Sequence, residues 1–142
     1  MKIYRLLAAL LLSIAAVAPA LACSCIVPRG SQSDYVRRGF QQATHVFSAY
    51  VVSEHRTDGP DSRRMVKMRV LQVWKGELTP NTWIEIESDS DAGLGCGLTV
   101  EVNSAILAYT SGLALTSCTM TGPLNKATRD IPLLNKLAGV RK

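Results

Sequence analysis

Four cysteines, Cys23, Cys25, Cys96 and Cys118, are the residues of this 142-residue chain whose type and spacing best fit chemistry. Thiols bind metal, carry redox chemistry or cross-link. A metal site of the protein's own is disfavoured, because neither C-x-x-C nor H-x-x-x-H spacing occurs and His45 and His55 are the only histidines. A redox centre at Cys23-Ser24-Cys25 would need an accessible thiolate of low pKa, and no histidine or helix start adjoins it. Cross-linking remains, and an even count in an exported domain reads as two disulfides. Only one residue separates Cys23 from Cys25, so a mutual bond would close a strained ring. Each therefore reaches a different distant partner, which leaves two pairings open. In the chain-entropy model a bridge closing a loop of this length is worth about 4 kcal/mol. No carboxylate pair and no serine, histidine and acid set can be ordered into a site, so neither an enzyme nor a cofactor is expected.

Export is read from the first 22 residues. Lys2 and Arg5 precede a run from Leu6 to Ala18 in which every residue but Ser13 is apolar, and Ala20-Leu21-Ala22 closes it. This is the pattern of a secretory signal peptide. A spanning helix would need roughly 20 apolar residues. Removing 22 of 142 residues leaves 120, from Cys23 to Lys142, and the loss of Lys2 and Arg5 lowers the formal charge from +5 to +3. Such a length holds one core. A lipoprotein signal also ends before a cysteine, which is then acylated. Ala20 with Ala22 satisfies the ordinary small-x-small rule instead and favours a free Cys23 amine. The expected location is extracellular or periplasmic, with lipid anchoring at Cys23 as the alternative. Neither G-x-x-x-x-G-K nor G-x-G-x-x-G occurs, and an exported chain is a poor genome binder, so nucleic acid is not an expected partner.

The elements that must position the cysteines are mostly strands. His45–Ser53 (H-V-F-S-A-Y-V-V-S) reads as a strand buried on much of both faces. In Met65–Trp74, Val66, Met68 and Val70 alternate with Lys67 and Arg69; Leu71 and Val73 then break phase by one residue, as a bulge would. Trp83–Glu87 alternates isoleucine with glutamate, and Ala105–Thr110 and Leu113–Met120 complete a set of five. Turn signals at Asp58-Gly59-Pro60, Lys75-Gly76, Thr79-Pro80-Asn81 and Ser111-Gly112 separate them. A helix with Ser33 as N-cap carries Val36, Phe40 and Ala43 on one face, and a second follows Asp130 with Leu133, Leu134 and Leu137 before Gly139. The expectation is an all-β domain: a five-stranded Greek-key barrel of the OB type, with short flanking helices and two disulfides.

C-S-C at the mature start, then a helix, V-F-S-A-Y-V-V-S, K-M-R-V-L-Q-V-W-K-G, D-A-G-L-G-C-G-L and a late T-S-C-T resemble, in this order, the netrin-like family, and within it the tissue inhibitors of metalloproteinases. The resemblance runs from Cys23 to about Leu134. It implies that Cys23 pairs with Cys96 and Cys25 with Cys118, which would set the N-terminal segment beside the loop Asp89–Gly95 as one ridge. It further implies a zinc metalloproteinase as protein partner and a monomeric, non-catalytic inhibitor. The α-amine and carbonyl of Cys23 would chelate the partner's catalytic zinc, displacing its water. Ser24 would enter the specificity pocket, Cys25 and Ile26 would follow the substrate groove, and Gly93, Leu94 and Gly95 would add the second half of the ridge. Here Ile26 and Val27 precede Pro28, where the family has proline sooner. The other reading of the same resemblance is a netrin-like binding module for a protein or glycan partner.

Other residues read more plainly. Arg63, Arg64, Lys67 and Arg69 form a solvated strand face in preference to a polyanion site. Trp74 and Trp83 are read as packing residues and His45 and His55 as structural or solvated.

Overall fold

The computed structural model describes residues 29–59, 62–88, 98–116 and 118–140. The chain runs α1 (Gln32–Gln42), β1 (His45–Arg56), β2 (Arg64–Lys75), β3 (Trp83–Ser88), β4 (Ala105–Thr110), β5 (Ala114–Leu115), β6 (Gly122–Pro123), two 3-10 turns, and α2 (Ile131–Leu137). The strands form a single six-stranded mixed sheet in the order β5-β3-β2-β1-β4-β6, curled into a half-barrel. Among the described residues no helix is long and apolar enough to cross a membrane.

β1 and β4 are neighbours in the sheet and bury both faces over much of their length, as the apolar run of β1 led one to expect. Phe47, Ala49 and Val51 face the concave side with Val66, Met68, Ile86, Ile106, Ala108 and Leu115. Val46, Leu107, Trp74 and Tyr109 face the other side, where Val36 and Ala43 of the α1 segment and Leu134 of α2 cover them. Two cores thus share one sheet, because side chains alternate faces every residue. Each fully buried Phe, Leu, Ile or Met side chain contributes about 1.5–3 kcal/mol.

The phase break in β2 is a bulge. Ser48 pairs with Gln72 but Ala49 with Val70, so Leu71 is the extra residue, and further shifts skip Trp74 and Val52. Each bulge sharpens the twist that curls the sheet.

Three expectations need correction. Leu113–Met120 is not a long strand: only Ala114–Leu115 pairs, in parallel, with β3. Thr119 Oγ1 donates to the carbonyl of Thr116 at 2.8 Å, so a local turn replaces the ladder. A sixth strand, Gly122–Pro123, escaped notice because proline argues against a ladder; it sits at the sheet edge, where that objection lapses. The α1 N-cap is Ser31 and not Ser33. Ser31 and Asp34 form a capping box, with Asp34 accepting from the Ser31 backbone N–H at 2.9 Å. These hydrogen bonds hold the Asp34 carboxyl below its usual value, with the Ser31 side chain the larger cause.

The motif Trp74-Lys75-Gly76 fastens the helices to the sheet. Trp74 Nε1 donates to Asn135 Oδ1 of α2 at 2.7 Å. Lys75 Nζ donates to the carbonyls of Phe40 and Gln41 at 2.8 and 3.0 Å, neutralising the C-terminal end of α1. Gly76 adopts φ +96° and passes under the His45 ring so closely that a Cβ there would lie 2.2 Å from His45 Cδ2.

Candidate functional site

Cys23, Ser24, Cys25, Ile26, Gly93, Leu94 and Gly95, together with Cys96, lie outside the described residues. What is described is the frame from which those segments depart. β5 runs parallel to β3 with Glu87 opposite Ala114 and Ser88 opposite Leu115, so both strands end at the same end of the sheet. The chain continues from Ser88 into 89–97 and from Leu115 to Cys118. Ser88 is fully buried, and its Oγ donates to the Leu98 carbonyl at 2.8 Å, tying together the two residues that flank 89–97.

Cys118 is disulfide-bonded to a residue outside the described ones. Its turn is fixed to β4 by Thr121, whose Oγ1 accepts from the Tyr109 N–H at 2.9 Å and donates to the Tyr109 carbonyl at 3.1 Å. This threonine mimics a ladder pair, and the sequence reading missed it. The same turn faces α1: Cys118, Thr119 and Met120 line a cleft with Tyr35, Arg38 and Gly39. The chain enters α1 beside this cleft, where Arg38 Nη2 donates to the Arg29 carbonyl at 3.2 Å.

The basic strand is largely matched by acids. Arg63 lies 3.2 Å from Glu87, and Arg64 lies 3.0 Å from Glu54 in a mostly buried pair at the end of the concave face. Lys67 is aligned with Glu85 and has its Nζ 5.8 Å from the Trp83 ring centroid. Arg64 is therefore not on a solvated face, because the Val52 bulge turns Glu54 onto its side. Arg69 stands between Tyr50 and Trp83 in one cross-strand row. Both aromatics are exposed, Trp83 at 56 %. Trp74 is buried packing as expected, whereas Trp83 is not. The row was missed because only the strand register creates it.

His45 is structural: its Nδ1 lies 3.0 Å from the Gly112 carbonyl oxygen and its ring covers Gly76. His55 is half exposed, 3.5 Å from Glu85. Among the described residues no group of three His, Cys, Asp or Glu side chains is arranged to hold a metal. Asp130 does not cap α2; it is buried and accepts two hydrogen bonds at 3.2 Å from Gln32 Nε2 of α1, coupling the two helices. No protein-family model and no curated protein matches this chain.

Proposed function

We propose that the chain is an exported, non-catalytic inhibitor of zinc metalloendopeptidases that presents the Cys23 amine and carbonyl to the target's zinc. One observation carries this reading: the parallel β3–β5 pair sends the approach to Cys96 and the approach to Cys118 out of the same end of the sheet. Cys96 is two residues from Leu98, a reach of about 7 Å, and Cys25 is four from Arg29, a reach of about 14 Å. Cys118 faces the helix that Arg29 precedes. The family resemblance implies the pairs Cys23–Cys96 and Cys25–Cys118, and with them the curled sheet would serve as an OB-like barrel. Two cross-links would hold the ridge in its bound shape and reduce the ordering entropy lost on docking. The α-amine, ordinarily near pKa 8, must lose its proton to coordinate, so binding releases a proton.

The test compares the mature chain starting at Cys23 with one carrying an additional Ala before it, assayed against zinc endopeptidases. The extension is expected to weaken inhibition on the order of 100-fold, about 2.7 kcal/mol. Equal inhibition by both forms overturns the chelation mechanism. The exposed row Tyr50, Arg69 and Trp83 favours a second reading, a netrin-like binding module with a protein or glycan partner. Intact mass of the mature protein separates either from a lipid-anchored form acylated at Cys23.

A further inference from the structure

On the outer face of the sheet, Ala105, Tyr50, Arg69 and Trp83 are directly aligned across β4, β1, β2 and β3, a row that holds no acid. Tyr50 is 37 % exposed and Trp83 56 %. Arg69 is exposed as well and makes no ion pair among the described residues. Neighbouring strands lie about 4.8 Å apart, so the backbones carrying the two aromatics stand about 10 Å apart with Arg69 midway. On one side the next row, Ser48 and Gln72, runs to the foot of α2, where Gln72 Nε2 donates to Asn135 Oδ1 at 3.4 Å. On the other side lie the charged Lys67 and Glu85. The exposed aromatic surface is therefore a track one residue wide.

Such a track suits a chain molecule. A protein partner of ordinary size covers about 800 Å² on each side and centres on a patch depleted of charge, whereas charged side chains border this row directly. An extended peptide adds to unpaired backbone, and at Tyr50 and Arg69 the ladder is filled on both sides. A pyranose ring has an apolar C–H face that packs on the negative face of an aromatic ring. Arg69 decides the charge of the sugar, because an unpaired guanidinium is a planar fork that fits a carboxylate. Arg63 and Arg64 are matched by Glu87 and Glu54, which leaves few cations for a densely sulfated polymer. We propose that the row Tyr50, Arg69 and Trp83 binds an acidic polysaccharide of flat uronic acid units, the two rings stacking on alternate sugars and Arg69 holding the carboxylate of the sugar between. This rests on the glycan reading given above and supplies its ligand class. Trp83 is five residues from Ser88, about 17 Å along β3, so the track is separate from the proposed inhibitory ridge.

The probe is the trisaccharide of β-1,4-linked glucuronate, titrated into the disulfide-intact mature chain while the Trp83 indole N–H and Arg69 Nε–H resonances are followed. Saturable shifts of both are expected. Cellotriose, the same chain with hydroxymethyl groups in place of carboxylates, is expected to bind about tenfold more weakly, a comparison that needs no variant. Arg69→Gln should weaken binding of the acidic trimer about tenfold and leave that of cellotriose within about twofold. Trp83→Leu and Tyr50→Leu keep apolar bulk without the ring and should each weaken both sugars about fivefold, with urea midpoints near the parent's. The chain with an additional Ala before Cys23 should bind the trimer as the native start does, so inhibition and sugar binding are read separately. Equal affinity for cellotriose overturns the acidic ligand while the glycan reading stands. Absence of saturation by the trimer, equal affinity for tripolyphosphate, or undiminished binding in both Leu variants overturns the proposal outright.

Discussion

Gly76→Ala tests how the Trp74-Lys75-Gly76 corner holds the sheet. The glycine has φ +96°, a conformation that costs a residue with a Cβ about 1–2 kcal/mol. The new methyl would also lie 2.2 Å from His45 Cδ2 and 2.9 Å from Cγ, so the ring must move. Displacing it forces an unfavourable rotamer, about 0.5–1.5 kcal/mol. It also breaks the contact between His45 Nδ1 and the Gly112 carbonyl, a further 0.5–1.5 kcal/mol or so. The total is about 2–5 kcal/mol, measured as the shift in urea midpoint with the disulfides intact. His45→Ala separates the parts. In that background the steric penalty vanishes and only the backbone strain remains, so the two substitutions should couple by about 1–3 kcal/mol. A Gly76→Ala cost below about 0.5 kcal/mol, or strict additivity with His45→Ala, refutes the reasoning.

Two further predictions rest on the cores. Asn135→Ala leaves the buried Trp74 indole N–H without its acceptor and should cost about 1–3 kcal/mol in the same urea assay; Asn135→Asp, which keeps an acceptor, should cost less. Tyr109 concerns pH. Burial, together with the nearby Asp130 charge, raises its folded pKa above the unfolded value near 10, so its contribution is fully present below pH 10 and is lost as pH rises from there through the raised folded value, where only the unfolded state is first deprotonated. Tyr109→Phe should therefore lose less stability than the parent between pH 9 and pH 11 or so; parallel stability curves would show that the phenol ionises equally in both states.

Much of the sheet was legible locally. The alternation of Val66, Met68 and Val70 with Lys67 and Arg69 predicts which side chains are buried, and the break at Leu71 marks the bulge itself. The stripe Val36, Phe40 and Ala43 likewise reports the face that α1 packs on the sheet. Local patterns fail where the partner is remote. Leu113–Met120 has the apolar content of a strand, yet threonine hydroxyls at 119 and 121 satisfy backbone groups that a ladder would otherwise take. Asp130 has the type and place of a helix cap but turns to Gln32 of the other helix. Of the candidate ridge, the sequence names every residue, while the described structure contributes only its frame: the Ser88–Leu98 tie and the disulfide-bonded Cys118.

By itself the sequence determined the strand faces of β1, β2 and β3 and the place of the bulge in β2, because side-chain periodicity acts over a few residues. Only the tertiary structure decided that β5 lies parallel to β3, that Arg69 stands between Tyr50 and Trp83, and that Arg38 and Tyr109 line one cleft. Each of those joins residues far apart in the chain through register and packing, and no local pattern of residue types encodes which strand lies beside which.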